Sequence, residues 1–348
     1  MKILNFISGK DLGGPKHSFI LYNKAFEALG YENISLIRRG ASLAKLLKQN
    51  SQPFIDVSYI RTTNKLFKKS SVRKLKKAIT KVNPDTIFVH KQIDIELVRE
   101  AVGDNVKIIG VVHGFNAKHI DGADALIAVS KKVKDFLKKS WYKKDIYVVP
   151  NMVEIVQEPP IKPIRTPVHI GTMGVFRRKK GFHIFIEALK ILKSRDIDFK
   201  ATIAGRGRRI VVYKYLCKKY NLCSNLEFKD WIKAKDRDAF FDSLDIYVLP
   251  SRTESFGMVV VEAMARKKIV VATKCGGPQE IIDDKIDGFL VENQSPKAIA
   301  DALEHIIKAK DLSQIQEKAY KKAFKEYGVE SVKFELDKIL KSYTNENI

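Results

Sequence analysis

Cysteine is scarce in this chain. Three thiols in 348 residues, Cys217, Cys223 and Cys275, are odd in number and match no zinc or redox spacing, so a disulfide scaffold is excluded and buried thiols in a reducing compartment are expected. Long apolar runs are missing too. No stretch approaches the ~18 residues needed to cross a bilayer, and the opening MKILNFISGK is too short in apolar residues for a signal peptide, reading instead as a first β-strand. A cytoplasmic location is the expectation. Acidic side chains are few, with 40 Asp and Glu against 64 Lys and Arg, a net +24. So basic a surface attracts polyanions or anionic lipid headgroups. The excess is uneven: residues 1–150 hold 28 basic and 13 acidic side chains (+15), and residues 151–348 hold 36 and 27 (+9). The partner that explains the charge is expected at the N-terminal half. Three chemical signatures are also missing. No G-x-G-x-x-G opens either half, no pair of carboxylates has glycosidase character, and no metal cluster is visible. His113 and His119 are six apart with no acidic partner at ligand spacing, and Asp245 stands alone in SLDIY.

What is present is a repeating alternation. Short β-branched runs, KILNFI (2–7), NISLI (33–37), FIDVSYI (54–60), DTIFV (85–89), KIIGVV (107–112), ALIAV (125–129) and IYVV (146–149), alternate with helical stretches, as buried parallel strands do. Five prolines then fall between Pro150 and Pro167 without any period, which suits a linker. A second series follows: VHIGTM (168–173), FKATIAG (199–205), LEF (226–228), LDIYVL (244–249), IVVA (269–272) and GFLV (288–291). Helices such as HIFIEALKIL (183–192) and GMVVVEAMA (257–265) carry apolar residues at three- and four-residue steps. The fold class is therefore α/β, two Rossmann-like doubly wound domains with ligands at the carboxyl ends of their strands. The expected layout is an N-terminal domain over 1–152, a linker over 153–167, a C-terminal domain over 168–330 and a last helix over 331–348.

Two segments of the first half are basic and amphipathic. In KLFKKSSVRKLKKAITKV (65–82), Val72, Leu75, Ile79 and Val82 share one helical face while Arg73, Lys74, Lys76, Lys77 and Lys81 occupy the rest. KKVKDFLKKSWYKK (131–144) mixes seven lysines with Phe136, Leu137, Trp141 and Tyr142. Aromatic and basic residues together suit a lipid interface, whereas each helix alone reads equally as one that packs one face and solvates the other. Docking of the N-terminal domain on anionic membrane lipid, peripheral on the cytoplasmic face of the inner membrane, is the expectation for this surface.

The strongest chemical signal is LPSRTESFGMVVVEAMA (249–265). A strand ends at Leu249–Pro250, a polar loop follows and a helix opens near Gly257, so that Glu254 precedes the helix and Glu262 lies within it, with seven residues between them. The backbone N–H groups of Phe256, Gly257 and Met258 then lie at a positive helix end, where a phosphate binds, with a carboxylate on either side for sugar hydroxyls. Read without their flanks, Glu254 is a helix cap and Glu262 a solvated surface residue. In IVVATKCGGPQEIIDD (269–284) the chain turns at Gly276–Gly277 and restarts a helix at Pro278. GTMGVFRRKKGFHIFIEALKIL (171–192) carries Arg177, Arg178, Lys179 and Lys180 in the loop between strand and helix, where cations clamp a diphosphate or are merely solvated. AGRGR (204–208) is a turn that offers Arg206 or Arg208 to the cleft. In the first half, DLGGPK (11–16) lets backbone approach a ligand at Gly13 and Gly14. His113 follows the strand KIIGVV, from which its imidazole reaches a sugar or serves as a lone structural histidine.

Taken in order, GTMGVFRRKKGFHIFIEAL, ATIAGRG, LEFKDWI, LDIYVLPSRTESFGMVVVEAMA, VATKCGGPQEII and DGFLV, with HG at 113–114 and VVPN at 148–151, resemble the retaining glycosyltransferases of the GT-B class. The likeness is to the large family of bacterial polysaccharide, lipopolysaccharide-core and phosphatidylinositol mannosyl transferases, and it is strongest over residues 168–295. It implies two domains facing a cleft and transfer from a nucleotide sugar, UDP-sugar first and GDP-sugar next, without a metal or other cofactor. It further implies that Glu254 lies beside the donor sugar, that Glu262 binds the ribose hydroxyls and that the main chain of Phe256, Gly257 and Met258 holds the phosphates. Lys180, helped by Arg177 or Arg178, neutralises the leaving diphosphate. Val175 stands where many relatives have arginine. Backbone near Trp231 and Ile232 meets the base, while His113 and the Gly13–Gly14 loop approach from the other domain. The implied chemistry is front-face transfer with retention, onto a glycan or lipid-linked acceptor such as lipopolysaccharide core, and the last helix packs back on the first domain. Two other classes compete. A nucleic-acid-binding protein explains +24 but not the phosphate-cradling turns, so no nucleic acid is expected; an epimerase or phosphorylase on the same fold stays open, and strict dependence on an acceptor alcohol excludes the epimerase.

Overall fold

The computed structural model describes residues 1–9, 14–60, 65–155, 157–309 and 311–344. The chain forms two compact units, one of residues 1–154 with 328–348 and one of residues 155–327.

In the first unit seven strands form one parallel sheet: β1 (Lys2–Ile7), β2 (Glu32–Arg38), β3 (Phe54–Val57), β4 (Thr86–Val89), β5 (Lys107–Val112), β6 (Ala125–Ala128) and β7 (Ile146–Val148). Their order is β3-β2-β1-β4-β5-β6-β7. The sheet winds outward in both directions from the β1/β4 boundary, the switch point at whose carboxyl side ligands bind in such folds. The connections carry α1 (Gly14–Ala28), α2 (Leu43–Gln49), α3 (Lys65–Val82), α4 (Gln92–Val102) and α5 (Lys131–Lys138). Right-handed crossovers place α3, α4 and α5 on one face and α1 on the other, where α1 packs against the last helix of the chain. Strands β4 and β6 are buried at every position, which is why they read as continuous apolar runs rather than alternating ones. FIDVSYI yields a shorter strand than its composition suggests. Pairing stops at Val57 because the Tyr59 hydroxyl donates to Asp94 Oδ1 of α4 at 2.7 Å and Ile60 is bonded by the Ser71 side chain of α3.

The second unit has six parallel strands, β8 (Val168–Met173), β9 (Phe199–Ala204), β10 (Leu226–Lys229), β11 (Ile246–Leu249), β12 (Ile269–Thr273) and β13 (Phe289–Val291), in the order β10-β9-β8-β11-β12-β13. Its switch point lies between β8 and β11. Helices α6 (Phe182–Ser194), α7 (Ile210–Lys219), α8 (Arg237–Asp242), α9 (Met258–Ala265), α10 (Pro278–Ile281), α11 (Pro296–Lys308) and α12 (Ser313–Tyr327) cover the sheet. The proline-rich stretch before β8 is held down on this unit: Arg165 Nε donates to Asp245 Oδ1 at 2.9 Å, and Gln316 Nε2 donates to the Lys162 carbonyl. The final helix, α13 (Val329–Thr344), belongs to the first unit. It buries Val332, Leu336, Ile339 and Leu340, and its Asp337 accepts a 2.6 Å hydrogen bond from the Tyr31 hydroxyl.

The cysteines depart from the reading of three buried thiols. Cys217 and Cys275 are buried, but Cys223 is exposed, because the turn after α7 carries it outward. Its Sγ lies 3.2 Å from Cys217 Sγ.

Candidate active site

The residues that the sequence singled out in the second half gather at the β8/β11 switch point, and glycines bring them there. Gly181 ends the short turn of Arg178–Lys180 with φ +67°, and a Cβ on it would lie 1.7 Å from the Pro250 carbonyl oxygen. Only glycine lets the loop after β8 lie against the loop after β11. The Arg252 N–H donates to the Lys179 carbonyl at 2.7 Å, a second tie between the same loops. Lys180 Nζ is thereby set 2.5 Å from Glu254 Oε2, with both side chains largely buried.

Glu254 is also fixed through its main chain. Its N–H donates to the Cys275 carbonyl at 3.0 Å, and its own carbonyl accepts from the Gly277 N–H at 2.9 Å, so the turn after β11 is zipped to the turn after β12. A Cβ on Gly277 would fall 2.1 Å from the Phe256 carbonyl oxygen, which explains the glycine pair there. Gly257, at φ +114°, turns the chain into α9 as its N-cap residue and has no side chain with which to cap that helix. The first-turn amides of a helix have no intrahelical acceptor, so this N-terminus offers donors and a positive dipole end. Phe256 anchors the turn, buried and edge-on to Tyr327 at 5.7 Å.

Glu262, one turn into α9, is neither a cap nor a solvated residue. Its side chain is 10% exposed and ion-paired with Arg237 of α8. Below both glutamates lies the fully buried Tyr247 of β11, whose hydroxyl is pushed above its ordinary range by burial and further by the charges of Glu262 and Glu254. Burial, with the charge of Glu254 added, raises the Cys275 thiol to about 11, against the opposing effects of Thr273 and Lys180. Arg177 and Arg178 are exposed. Arg178 nevertheless contributes, after burial and the charges of Arg209 and Arg252, to holding His183 below its ordinary value. Arg209 and Arg252, from the loops after β9 and β11, thus add to the cations that the sequence reading named.

To one side, at the carboxyl ends of β9 and β10, a cavity of about 260 Å³ opens between Phe176, Arg206, Lys214, Phe228 and Asp230. Arg206 is ion-paired with Asp230 on its rim, which together with the Trp231 amide holds that carboxyl at about 2. Trp231 and Ile232 follow, both half-buried.

In the first unit, Gly14 opens α1, while Gly13 lies outside the described residues. His113, at the end of β5, is not a lone histidine. Its Nε2 shares a hydrogen bond of 3.1 Å with Nδ1 of His90, at the end of β4, and the two rings stack with centroids 5.3 Å apart. Burial is the main cause of a low pKa in both, with His113 at about 3 and Lys91 depressing each further, so both imidazoles are neutral at physiological pH. His90 is buried against the Tyr22 ring, 4.9 Å away and perpendicular to it. Sequence reasoning missed His90, Arg237 and Tyr247. Each acts by pairing with a residue distant in the chain, and spacing carries no sign of that.

Residues 157–325 match the family of glycosyl transferases group 1, and residues 22–157 match glycosyltransferase family 4. Between them the two matches cover residues 22–325, and both are to glycosyltransferases. The chain is 36% identical over 142 residues to a D-inositol 3-phosphate glycosyltransferase of Paenarthrobacter aurescens, a match covering 40% of this chain and 35% of that protein. Matches to the first relatives thus span little more than a third of their length. A longer match, 24% identical over 314 residues, joins it to the lipopolysaccharide core biosynthesis glycosyltransferase LpsE of Rhizobium meliloti, covering 88% and 89% of the two chains. Among solved structures, HepE of Anabaena in complex with UDP and glucose superposes with a TM-score of 0.86 at 19% identity, over 98% of this chain and all of that one. The chain thus has the GT-B fold.

Proposed function

We propose that this chain is a retaining, metal-independent transferase that moves a sugar from a nucleoside-diphosphate sugar onto a glycan or lipid-linked acceptor in cell-surface polysaccharide or lipopolysaccharide synthesis. The observation that carries the reading is the convergence of Lys180, Glu254 and the glycine-led N-terminus of α9 at one switch point. A helix end and an ammonium suit the leaving diphosphate, and a carboxylate beside them suits sugar hydroxyls. In this reading Lys180 exchanges Glu254 for diphosphate oxygens when donor binds, with Arg177 or Arg178 as the second cation. Glu254 then accepts from the sugar, and the main chain of Phe256, Gly257 and Met258 holds the phosphates. Glu262, oriented by Arg237, takes the ribose hydroxyls. Arg206 and the main chain at Trp231 and Ile232 bound the base. In the first unit, His113 supplies a neutral imidazole for a hydroxyl, and Gly14 supplies close backbone. The departing diphosphate takes the acceptor proton, so no protein nucleophile is required. UDP is the first candidate donor base and GDP the next; the UDP and glucose bound to HepE and the name of LpsE support the donor and acceptor classes respectively.

The test is nucleotide release from a panel of UDP-, GDP- and ADP-sugars, with and without EDTA, comparing wild type and Glu262→Gln with a lipid-linked acceptor extract present. Release from one donor that survives EDTA and falls in the variant is expected. Loss of all release in EDTA overturns metal independence, and intact donors throughout overturn the transferase reading. The same donor should raise the melting temperature, because a ligand that binds only the folded state stabilises it, by about 2.7 kcal/mol at a hundred times its Kd.

A further inference from the structure

On the first unit, three large side chains stand in water beside the end of β5. Phe115 and Phe136 are each 37% exposed and Trp141 is 58% exposed. They are held rather than loose: the Phe115 and Phe136 rings meet edge to face at 5.7 Å, joining the loop after β5 to α5, and the Trp141 indole N–H donates to Asp121 Oδ1 at 2.6 Å. The helix is anchored from below by the buried Val133 and Leu137. This settles which part of the 131–144 segment faces inward and leaves Phe136 and Trp141 without an inward role. Lys131, Lys132, Lys138, Lys139 and Lys143 surround them, all exposed, with Asp135 the single acidic residue among 131–144. On the same face of the sheet, α3 exposes Arg73, Lys74, Lys76, Lys77 and Lys81 while burying Leu75, Ile79 and Val82.

We infer that Phe115, Phe136 and Trp141 form a docking patch for an anionic lipid bilayer, with the aromatic rings entering the headgroup region and the lysines of α5 and α3 held against its charge. The chemistry favours lipid over nucleic acid. Two phenylalanines in an edge-to-face pair present apolar area with no polar group to read a base, and a tryptophan whose N–H is already bonded presents the ring that interfacial tryptophans use. A polybasic rim supplies the long-range attraction to anionic headgroups. The patch also begins two residues after His113, so a bilayer docked here lies beside the neutral imidazole pair. The inference deepens the proposed reading by making the acceptor lipid-borne, and rests on that reading for this consequence alone.

Co-sedimentation of the whole chain with vesicles of phosphatidylcholine, alone or mixed with phosphatidylglycerol, tests it without donor or acceptor, so its failure is separate from failure of the transferase reading. Binding to the mixed vesicles at low salt is expected, with roughly tenfold loss or more in the triple variant Phe115→Ser, Phe136→Ser, Trp141→Ser and on addition of salt. Equal binding by the triple variant overturns the patch, as does a wild type that sediments with neither vesicle or that binds an oligonucleotide in their place. Should the triple variant fail to fold, Trp141 reports directly. The chain has two tryptophans, and in a Trp231→Phe background the emission should shift to the blue on mixed vesicles; an unchanged spectrum overturns the proposal.

Discussion

Lys180 and Glu254 neutralise each other in a largely dry position, so each holds the other's charge in place until something more anionic than a carboxylate arrives. Lys180→Met should therefore lower kcat by about 10²- to 10³-fold, the usual cost of removing one preorganised group from developing charge, with a smaller change in KM; steady-state release of nucleotide from the preferred donor measures it. The histidine pair gives a pH signature. Both imidazoles are held neutral by burial, His113 down to about 3, whereas an unfolded histidine titrates near 6.5. Between these values the unfolded chain binds the extra proton, so stability is intact above about 6.5 and falls as pH drops, by up to about 1.4 kcal/mol per pH unit for each histidine. Urea midpoints from pH ~6.5 down to ~5, above most carboxylate titrations, should fall with a shallower slope in His113→Asn. At this scale Glu254, Glu262 and Lys180 were legible because they ride on ordered motifs, strand then glycine turn then helix. Their partners were not. Arg237 is 25 residues from Glu262 and His90 is 23 from His113, and a contact made by two strand ends side by side leaves no trace in either strand.

Elements were more legible than their ends. Every strand segment marked by β-branched runs lies in one of the two sheets, because parallel strands buried on both faces must be apolar throughout. The polar residues inside those strands are less readable. Asn5, in β1, is one end of a buried network centred on Asn23 of α1. Asn23 accepts from Asn5 at 2.7 Å and Asn33 at 2.9 Å, and donates to Ser35 at 2.8 Å and Gln52 at 3.1 Å. One amide thus ties α1 to β1, β2 and the turn before β3. Asn23→Leu leaves several buried groups without a partner, at about 1–3 kcal/mol each, so the first unit's urea transition should move to lower denaturant by the equivalent of about 3 kcal/mol or more. The segment 131–144 shows the limit of periodicity. Helix α5 ends at Lys138, and Phe136 and Trp141 point away from the sheet that an amphipathic helix would cover.

At the scale of the whole molecule, sequence order and structural membership part company. The chain leaves the first unit after Glu154 and returns to it at Gly328, so the stability of residues 1–154 depends on residues 329–344. Val332, Leu336, Ile339 and Leu340 are buried in that unit, each worth about 1.5–3 kcal/mol on burial. A chain stopped after Gly328 should show calorimetric melting of the first unit lowered by tens of degrees or lost, with the transition of residues 155–327 little changed; a uniform drop in both would contradict the division. The same crossing orders events during synthesis. Residues 155–327 form an uninterrupted stretch and complete their own sheet as they leave the ribosome. The first sheet, though made earlier, keeps the side of α1 that α13 covers open to water until synthesis has run through the second unit. A nascent chain of this kind therefore carries an unfinished apolar surface for the time taken to make some 170 further residues, and that interval, more than any property of the finished protein, is when it most needs a chaperone.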